Sequence, residues 1–427
     1  MRILLLGASG FIGRELFASL VARGHEVIPA VRDRSRIPPF SRENAIVIDL
    51  NRDTTVDAWM PRLAGVDAVV NCAGILEQRR GQSIEAIHHT GPAALFEACG
   101  RIGPRRVVLI SAISADRDLP TAYARTKLAA EERLRASSLD WVVLRPSLVY
   151  AQGADGGTAL FRALAALPFV IPVPGDGLQE FQPIHIDDLA DTVAWAVSEP
   201  RAVRQTIEPV GPDKVPLRAI LADYRAWLGL PPARTLRIPA ALVQVAASVG
   251  GLLHSPLNAT ALAQLRHGNT GDYEAFARQT GLTARGWRDG LASAPSHTQD
   301  LVHAQAYFVR PLLRITLAFL WLASAFAGFL WAQEWSAMLA QRWPAFRPAI
   351  GPVLIGASLL DLAIAVLLLV RWRPRPLALV QLGVVMAYTV ALTLLAPGLW
   401  LEPFGPLVKN VPILAAILAH AAIERER

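Results

Sequence analysis

The chain opens on Ile3-Leu4-Leu5-Leu6-Gly7-Ala8-Ser9-Gly10-Phe11-Ile12-Gly13. Four apolar residues run into three glycines at spacing three, and a helical pattern follows as far as Arg23, where Gly24 stops it. The reading is a strand, a tight turn and a helix start. Gly7 permits the sharp turn, Gly10 lets backbone approach a pyrophosphate, and Gly13 lets helix and strand pack closely. A helix N-terminus offers free N–H groups and the positive end of its dipole. Ser9, Phe11 and Ile12 therefore join the three glycines as candidate ligands of a dinucleotide.

Outward from this turn, β-rich runs alternate with helical patterns. Strands are expected at 3–6, 26–31, 45–48, 68–71, 107–110 and 141–144, with helices near 11–23, 91–99 and 123–135. Such alternation implies an α/β fold, a Rossmann-type doubly wound parallel sheet with right-handed crossovers. From about Pro146 the chain is richer in Pro and Gly, as in Pro172-Val173-Pro174-Gly175-Asp176-Gly177, which suggests a small substrate lobe. Asp187-Asp188 precede an apolar helical pattern and read as an acidic cap. Residues 231–300 read as helical and partly irregular, and Pro295–His303 as a linker.

The last part of the chain reads as membrane. Hydrophobic residues make up 53% of the chain, and mean hydropathy is +0.34. The excess is local: Ile315–Gln333 and Pro376–Leu401 carry no charge, Pro348–Val370 only Asp361, and Pro403–Ile423 only Lys409. Each run is long enough to cross a hydrocarbon core of ~30 Å as a helix. Spans are expected at about 312–332, 350–370, 377–397 and 404–423, an all-α four-helix transmembrane bundle. Net charge is +7, but after Val309 stand ten Lys/Arg against five Asp/Glu, so most of the excess flanks apolar spans. We read it as topology and exclude nucleic acid as a partner. With Arg371-Trp372-Arg373-Pro374-Arg375 inside, parity puts the N-terminal domain and the tail Glu424-Arg425-Glu426-Arg427 in the cytoplasm of a bacterial-type inner membrane. The expected division is 1–230, a nucleotide domain with its substrate lobe; 231–309, a helical extension; and 310–427, the membrane domain. Two cysteines, Cys72 and Cys99, give no disulfide framework, and the histidines show no metal-ligand spacing.

The chemistry concentrates in Tyr123-Ala124-Arg125-Thr126-Lys127. Phenol and ammonium at i and i+4 share one helix face, and a nearby ammonium is expected to lower the phenol's pKa toward working pH. The pair follows Ser111, at the end of the fifth strand. Together with Asn71-Cys72-Ala73-Gly74, Leu109-Ile110-Ser111-Ala112, Leu144-Arg145-Pro146-Ser147 and Ile184-His185-Ile186-Asp187-Asp188, these motifs resemble the short-chain dehydrogenase/reductase superfamily in its extended or atypical branch. The resemblance covers about residues 1–230. It implies Tyr123 as general acid/base and Lys127 as its electrostatic partner and ribose ligand. It places Asn71, Ala73, Gly74 and Pro146 near the cofactor, and Asp49 and Leu50 by the adenine. The family's catalytic hydroxyl falls on Ala112 or Ile113 here, so Ser111 and Ser114 stand as its candidates. His88 and His89 fall where relatives often carry an asparagine.

Cofactor choice turns on Val31-Arg32-Asp33-Arg34-Ser35-Arg36 at the tip of the second strand. Arg32 there favours the 2′-phosphate of NADP(H), because guanidinium matches phosphate geometry. Asp33 keeps NAD(H) open. The membrane half resembles DoxX-like four-helix proteins, and the nucleotide half is similar, more distantly, to the nucleotide-binding accessory subunit of respiratory complex I. Together these imply a membrane-anchored, NADP(H)-dependent oxidoreductase whose small-molecule substrate is a lipid-like or quinone-like carbonyl or alcohol. A non-catalytic redox sensor or assembly factor is the alternative, and epimerase or dehydratase chemistry would use the same residues. A homodimer is common in the superfamily. Asp361 and Lys409 are expected to pair inside the bundle, or to line a quinone or proton site.

Overall fold

The computed structural model describes the chain except residues 79–80, 117–118, 253–258, 343, 404 and 425–427. The expected tail 425–427 thus lies outside the described residues. Contacts divide the chain into Met1–Ala304 and Gln305–Arg427.

The first unit is built on one parallel sheet. Its strands are β1 (Arg2–Leu6), β2 (Glu26–Val31), β3 (Ile46–Val47), β4 (Ala68–Asn71), β5 (Arg106–Ile110), β6 (Asp140–Leu144) and β7 (Gln205–Ile207). Their order is β7-β6-β5-β4-β1-β2-β3. The order reverses between β1 and β4, so the crevice at their carboxyl ends is where a doubly wound fold takes its ligand. Side chains of a strand alternate between faces. Ile3 and Leu5 accordingly pack with Leu16 and Leu20 of α1 (Phe11–Ala22) and with Val193 and Ala196 of the helix Ile186–Ser198. Leu4 and Leu6 pack on the other face with Trp59, Leu95, Phe96 and Leu134. Each fully buried Leu or Ile contributes roughly 1.5–3 kcal/mol relative to exposure. Strand β7, three residues long, had no periodic signal by which to be foreseen.

Short two-stranded ribbons form a smaller lobe after β6 in sequence. Val149–Tyr150 pairs with Ile184–His185, and Val170–Pro174 pairs with Arg234–Ile238 in parallel. Its core is aromatic: Tyr150, Phe161, Phe181, Tyr224 and Trp287. Buried Asp188 accepts from the Arg285 backbone N–H and guanidinium at 3.0 Å, which pins residue 285 to the start of Ile186–Ser198.

Among the described residues, three helices are long and apolar enough to cross a membrane, within Thr298–Leu330, Pro344–Leu369 and Pro374–Leu395. The segment expected as a linker is helical from Thr298 onward. The fourth apolar helix, Asn410–Ile423, has 14 residues, about 21 Å, and is shorter than expected. An extra helix, Ala332–Arg342, lies between the first two spans in sequence. Asp361 does not pair with Lys409, which is exposed. Its carboxylate accepts from the Ser324 hydroxyl at 2.6 Å and the Tyr388 hydroxyl at 3.1 Å. A buried acid is satisfied here by hydroxyls from two other helices.

Candidate functional site

The glycine turn meets its steric requirements. Gly7 has φ +76°, and a Cβ there would lie 2.8 Å from Ala73 N. A Cβ on Gly13 would lie 2.1 Å from the Gly7 carbonyl oxygen. Gly10 begins α1 with no side-chain cap. The first-turn N–H groups, including those of Phe11 and Ile12, are thereby left for a ligand, while Ser9 is half-buried beside them. This uncapped cradle fits a pyrophosphate. Asn71 ends β4 fully buried, and its Oδ1 accepts from Ala73 N at 3.1 Å, shaping the loop to Gly74.

The adenine side is less committed. Leu50 is buried, and a Cβ on Gly91 would meet its carbonyl oxygen at 2.9 Å. Asp49 accepts from the Asn51 side chain at 2.9 Å and lies 3.6 Å from Arg52. Arg32 is exposed at the tip of β2. Asp33 instead accepts from both the backbone N–H and the hydroxyl of Ser35, at 2.8 and 2.7 Å. Its carboxylate closes its own turn, which leaves the tip of β2 predominantly basic.

Tyr123 and Lys127 stand on the helix Ala122–Arg135, whose N-cap Thr121 accepts from Ala124 N. Lys127 is buried, and its ammonium donates to the Ile110 carbonyl at 2.9 Å. A Cβ on Gly74 would sit 3.2 Å from Lys127 Nζ and 3.3 Å from His88 Nε2. Thus the ammonium, the imidazole and the cofactor loop converge. Burial lowers Lys127 to about 8. The phenol shifts opposite to expectation: burial pushes Tyr123 up to about 12, because it desolvates the phenolate.

His88 supplies a link that motif reading left open. It sits in a single wide π-turn, Ala86–Thr90, ahead of the helix Gly91–Ile102. Its Nε2 accepts from the Ile75 N–H at 3.0 Å, so the ring proton is on Nδ1. Nδ1 then donates to Thr126 Oγ1 at 2.9 Å, and that hydroxyl donates to the Ala122 carbonyl at 2.8 Å. Burial and the Lys127 charge push His88 down to about 2. His89 instead contacts Glu85 at 2.7 Å. Thr126 was not foreseen; its signal was a hydroxyl inside the Tyr–Lys helix turn.

The two serines have different surroundings. Ser111 is buried and its hydroxyl bonds the Glu131 carboxylate. Glu131 also takes a bidentate contact from Arg145, at 3.0 and 2.6 Å. Ser111 therefore belongs to a buried ion-pair network. Ser114 lies in the turn Ile113–Asp116, and its buried Oγ has no hydrogen-bond partner among the described residues. Pro146 is buried and its carbonyl accepts from Ile113 N at 3.3 Å, holding that turn to the end of β6. The turn packs on the helix that carries Tyr123.

Residues 7–168 match the family described as NAD(P)H-binding, and residues 318–418 match the DoxX-like family. A 3-diazoavenalumate denitrifying reductase from a Streptomyces species is 35% identical over 272 residues, 57% of this chain and 86% of that protein. The chain belongs to the NAD(P)H-binding family. A DoxX-like domain follows this NAD(P)H-binding domain. A ceramide reductase from Caulobacter vibrioides is 29% identical over 189 residues, 44% of this chain and 58% of that relative. Among solved structures, MoeE5 in complex with UDP-glucose and NAD superposes with a TM-score of 0.54. It is 23% identical and covers 73% of this chain and 100% of that one, a likeness of fold. The family takes a nicotinamide cofactor, and the glycine cradle fits one.

Proposed function

We propose that this protein is a membrane-anchored oxidoreductase that uses NADP(H), with NAD(H) the lesser cofactor, on a lipid-like or quinone-like carbonyl or alcohol. The observation that carries the reading is the convergence of Lys127 and His88 on Gly74, beside Tyr123. Gly7, Ser9, Gly10, Phe11, Ile12 and Gly13 would hold the pyrophosphate, and Asn71, Ala73, Gly74 and Lys127 the nicotinamide half. When bound, the nicotinamide supplies or accepts a hydride. Tyr123, held as a phenol, donates its proton to the substrate oxygen in the reductive direction. The Lys127 ammonium stabilises the phenolate left behind. Ser114, whose buried hydroxyl has no partner among the described residues, is the hydroxyl we assign to polarise the substrate carbonyl.

Arg32 at a tip where the Asp33 carboxylate is engaged by Ser35 supports NADP(H). The membrane domain and the ceramide reductase relative support a lipid-like substrate. The basic loop Arg371–Arg375 supports a multi-pass inner-membrane protein with a cytoplasmic nucleotide domain. The test is NADPH absorbance of detergent-purified full-length protein on adding a bacterial membrane-lipid extract, beside Tyr123→Phe. Oxidation that needs Tyr123 supports the enzyme. NADPH that binds and stays reduced in both proteins favours a nucleotide-binding sensor or assembly factor.

A further inference from the structure

Between Asp223 and Asp272 the chain has no acidic residue, and its charged side chains there are Arg225, Arg234, Arg237 and Arg266. The same stretch exposes apolar side chains. The strand Arg234–Ile238 pairs with Val170–Pro174, and Leu236 is half exposed on it. Phe169, which enters the partner strand, is 84% exposed, and Leu178, in the turn that leaves it, is exposed too. The helix Ala240–Leu252 follows. It buries Val243 and Ala247 against Leu262 and Ile238, and turns Leu242 (59%) and Val245 (61%) outward. Its interior contains no charged residue. Arg225 is buried on backbone carbonyls, but Arg234, Arg237 and Arg266 are exposed around this apolar surface.

We propose that this ribbon-and-helix surface of the substrate lobe docks on the headgroup region of a bilayer rich in anionic lipid. An apolar strand and helix with no acid of their own between Asp223 and Asp272, rimmed by arginines and with exposed Asp176 and Glu180 near its Leu178 edge, match an interfacial element: apolar side chains enter the acyl boundary and guanidinium groups meet phosphates. The partner is also at hand. The chain is tied to a bilayer by its own spans, which begin within Thr298–Leu330, so the surface works at high effective lipid concentration. Soluble proteins rarely leave such a patch uncovered. The lobe so docked is the one expected to receive substrate, and docking would shorten the path of a membrane-dissolved molecule. The inference concerns this surface alone and does not require that Tyr123 turn over any substrate.

The experiment uses full-length protein in nanodiscs, with an environment-sensitive dye on Leu242→Cys or Val245→Cys after Cys72→Ala and Cys99→Ser. Arg52→Cys, at an exposed site of the nucleotide domain, is the control. In phosphatidylglycerol-containing nanodiscs, dye at 242 and 245 should shift to the blue and be quenched by brominated acyl chains. Dye at 52 should do neither. Arg234→Gln with Arg237→Gln should reduce the quenching, as should high salt. Dye at 242 that stays in a water-like environment overturns the proposal. Dye that is shielded but not quenched by lipid also overturns it, and points to a second copy of the chain as the cover. Unchanged near-ultraviolet circular dichroism shows that the labelled variants are folded.

Discussion

The imidazole of His88 meets the ring of Tyr123 edge to face, with centroids 5.4 Å apart and planes at 82°. The same imidazole ties Ile75, after the cofactor loop, to Thr126, on the Tyr–Lys helix. The Ile75 bond does not survive if the ring is protonated on both nitrogens in place, because Nε2 could then no longer accept, whereas the Nδ1–H donor to Thr126 would remain. His88→Ala should cost roughly 1–3 kcal/mol through the orphaned N–H and hydroxyl. It should weaken NADPH binding as well, read by thermal melting and cofactor fluorescence. Since His88 is held to about 2 against an ordinary 6.5, the unfolded chain binds the extra proton between those values. The stability it contributes is present above pH 6.5 and falls as pH drops below it. A histidine ring spectrum that titrates near 6.5 would contradict this.

Lys127 acts with the same sign in a higher pH window. Its folded value of about 8 lies below the usual 10.5, so between these the unfolded chain holds more protons. Stability should rise by up to roughly 3 kcal/mol as pH climbs through that range. Lys127→Met should flatten the slope, measured by denaturant melts at stepped pH. Turnover in the wild type should fall above pH 8, where the ammonium is lost.

Gly13→Ala places a methyl 2.1 Å from the Gly7 carbonyl oxygen, backbone against side chain with no rotamer to yield. The expected cost is about 1–3 kcal/mol. Loss of NADPH binding should exceed what that destabilisation explains, seen by titration at a temperature where the variant is folded.

Ser111 and Ser114 should separate. Ser114→Ala should lower kcat by about 10²-fold with the melting temperature little changed, the size of losing one oxyanion donor. Glu131→Gln should instead cost roughly 3–5 kcal/mol, because it removes the buried charge on which Arg145, Arg135 and Ser111 converge. A kcat loss for Ser111→Ala greater than for Ser114→Ala would reverse the assignment.

In the membrane domain, a Cβ on Gly328 would lie 2.2 Å from Ser358 Oγ, so two spans approach closely there. Gly328→Ala should be mild, since the Ser358 hydroxyl can rotate. Gly328→Leu should separate the helices and lower the melting temperature in nanodiscs.

The local code was enough for much of this protein. Short β-rich runs and helical patterns placed β1 through β6 and the helices near 11–23, 91–99 and 123–135, because each signal lies within a few residues of chain. The Gly7–Gly13 turn and the Tyr123–Lys127 spacing were readable for the same reason. Apolar run length announced the membrane domain, though not that Asn410–Ile423 would stop short. Only the tertiary structure decided the rest. It turned Asp33 onto Ser35, joined Ser111 to Glu131 and Arg145, and satisfied Asp361 with Ser324 and Tyr388 instead of Lys409. It also set the direction of the Tyr123 shift, since desolvation depends on everything packed around a group. Hydrogen-bond partners and burial are set by residues far apart in sequence, and no spacing rule along one chain encodes which of them meet.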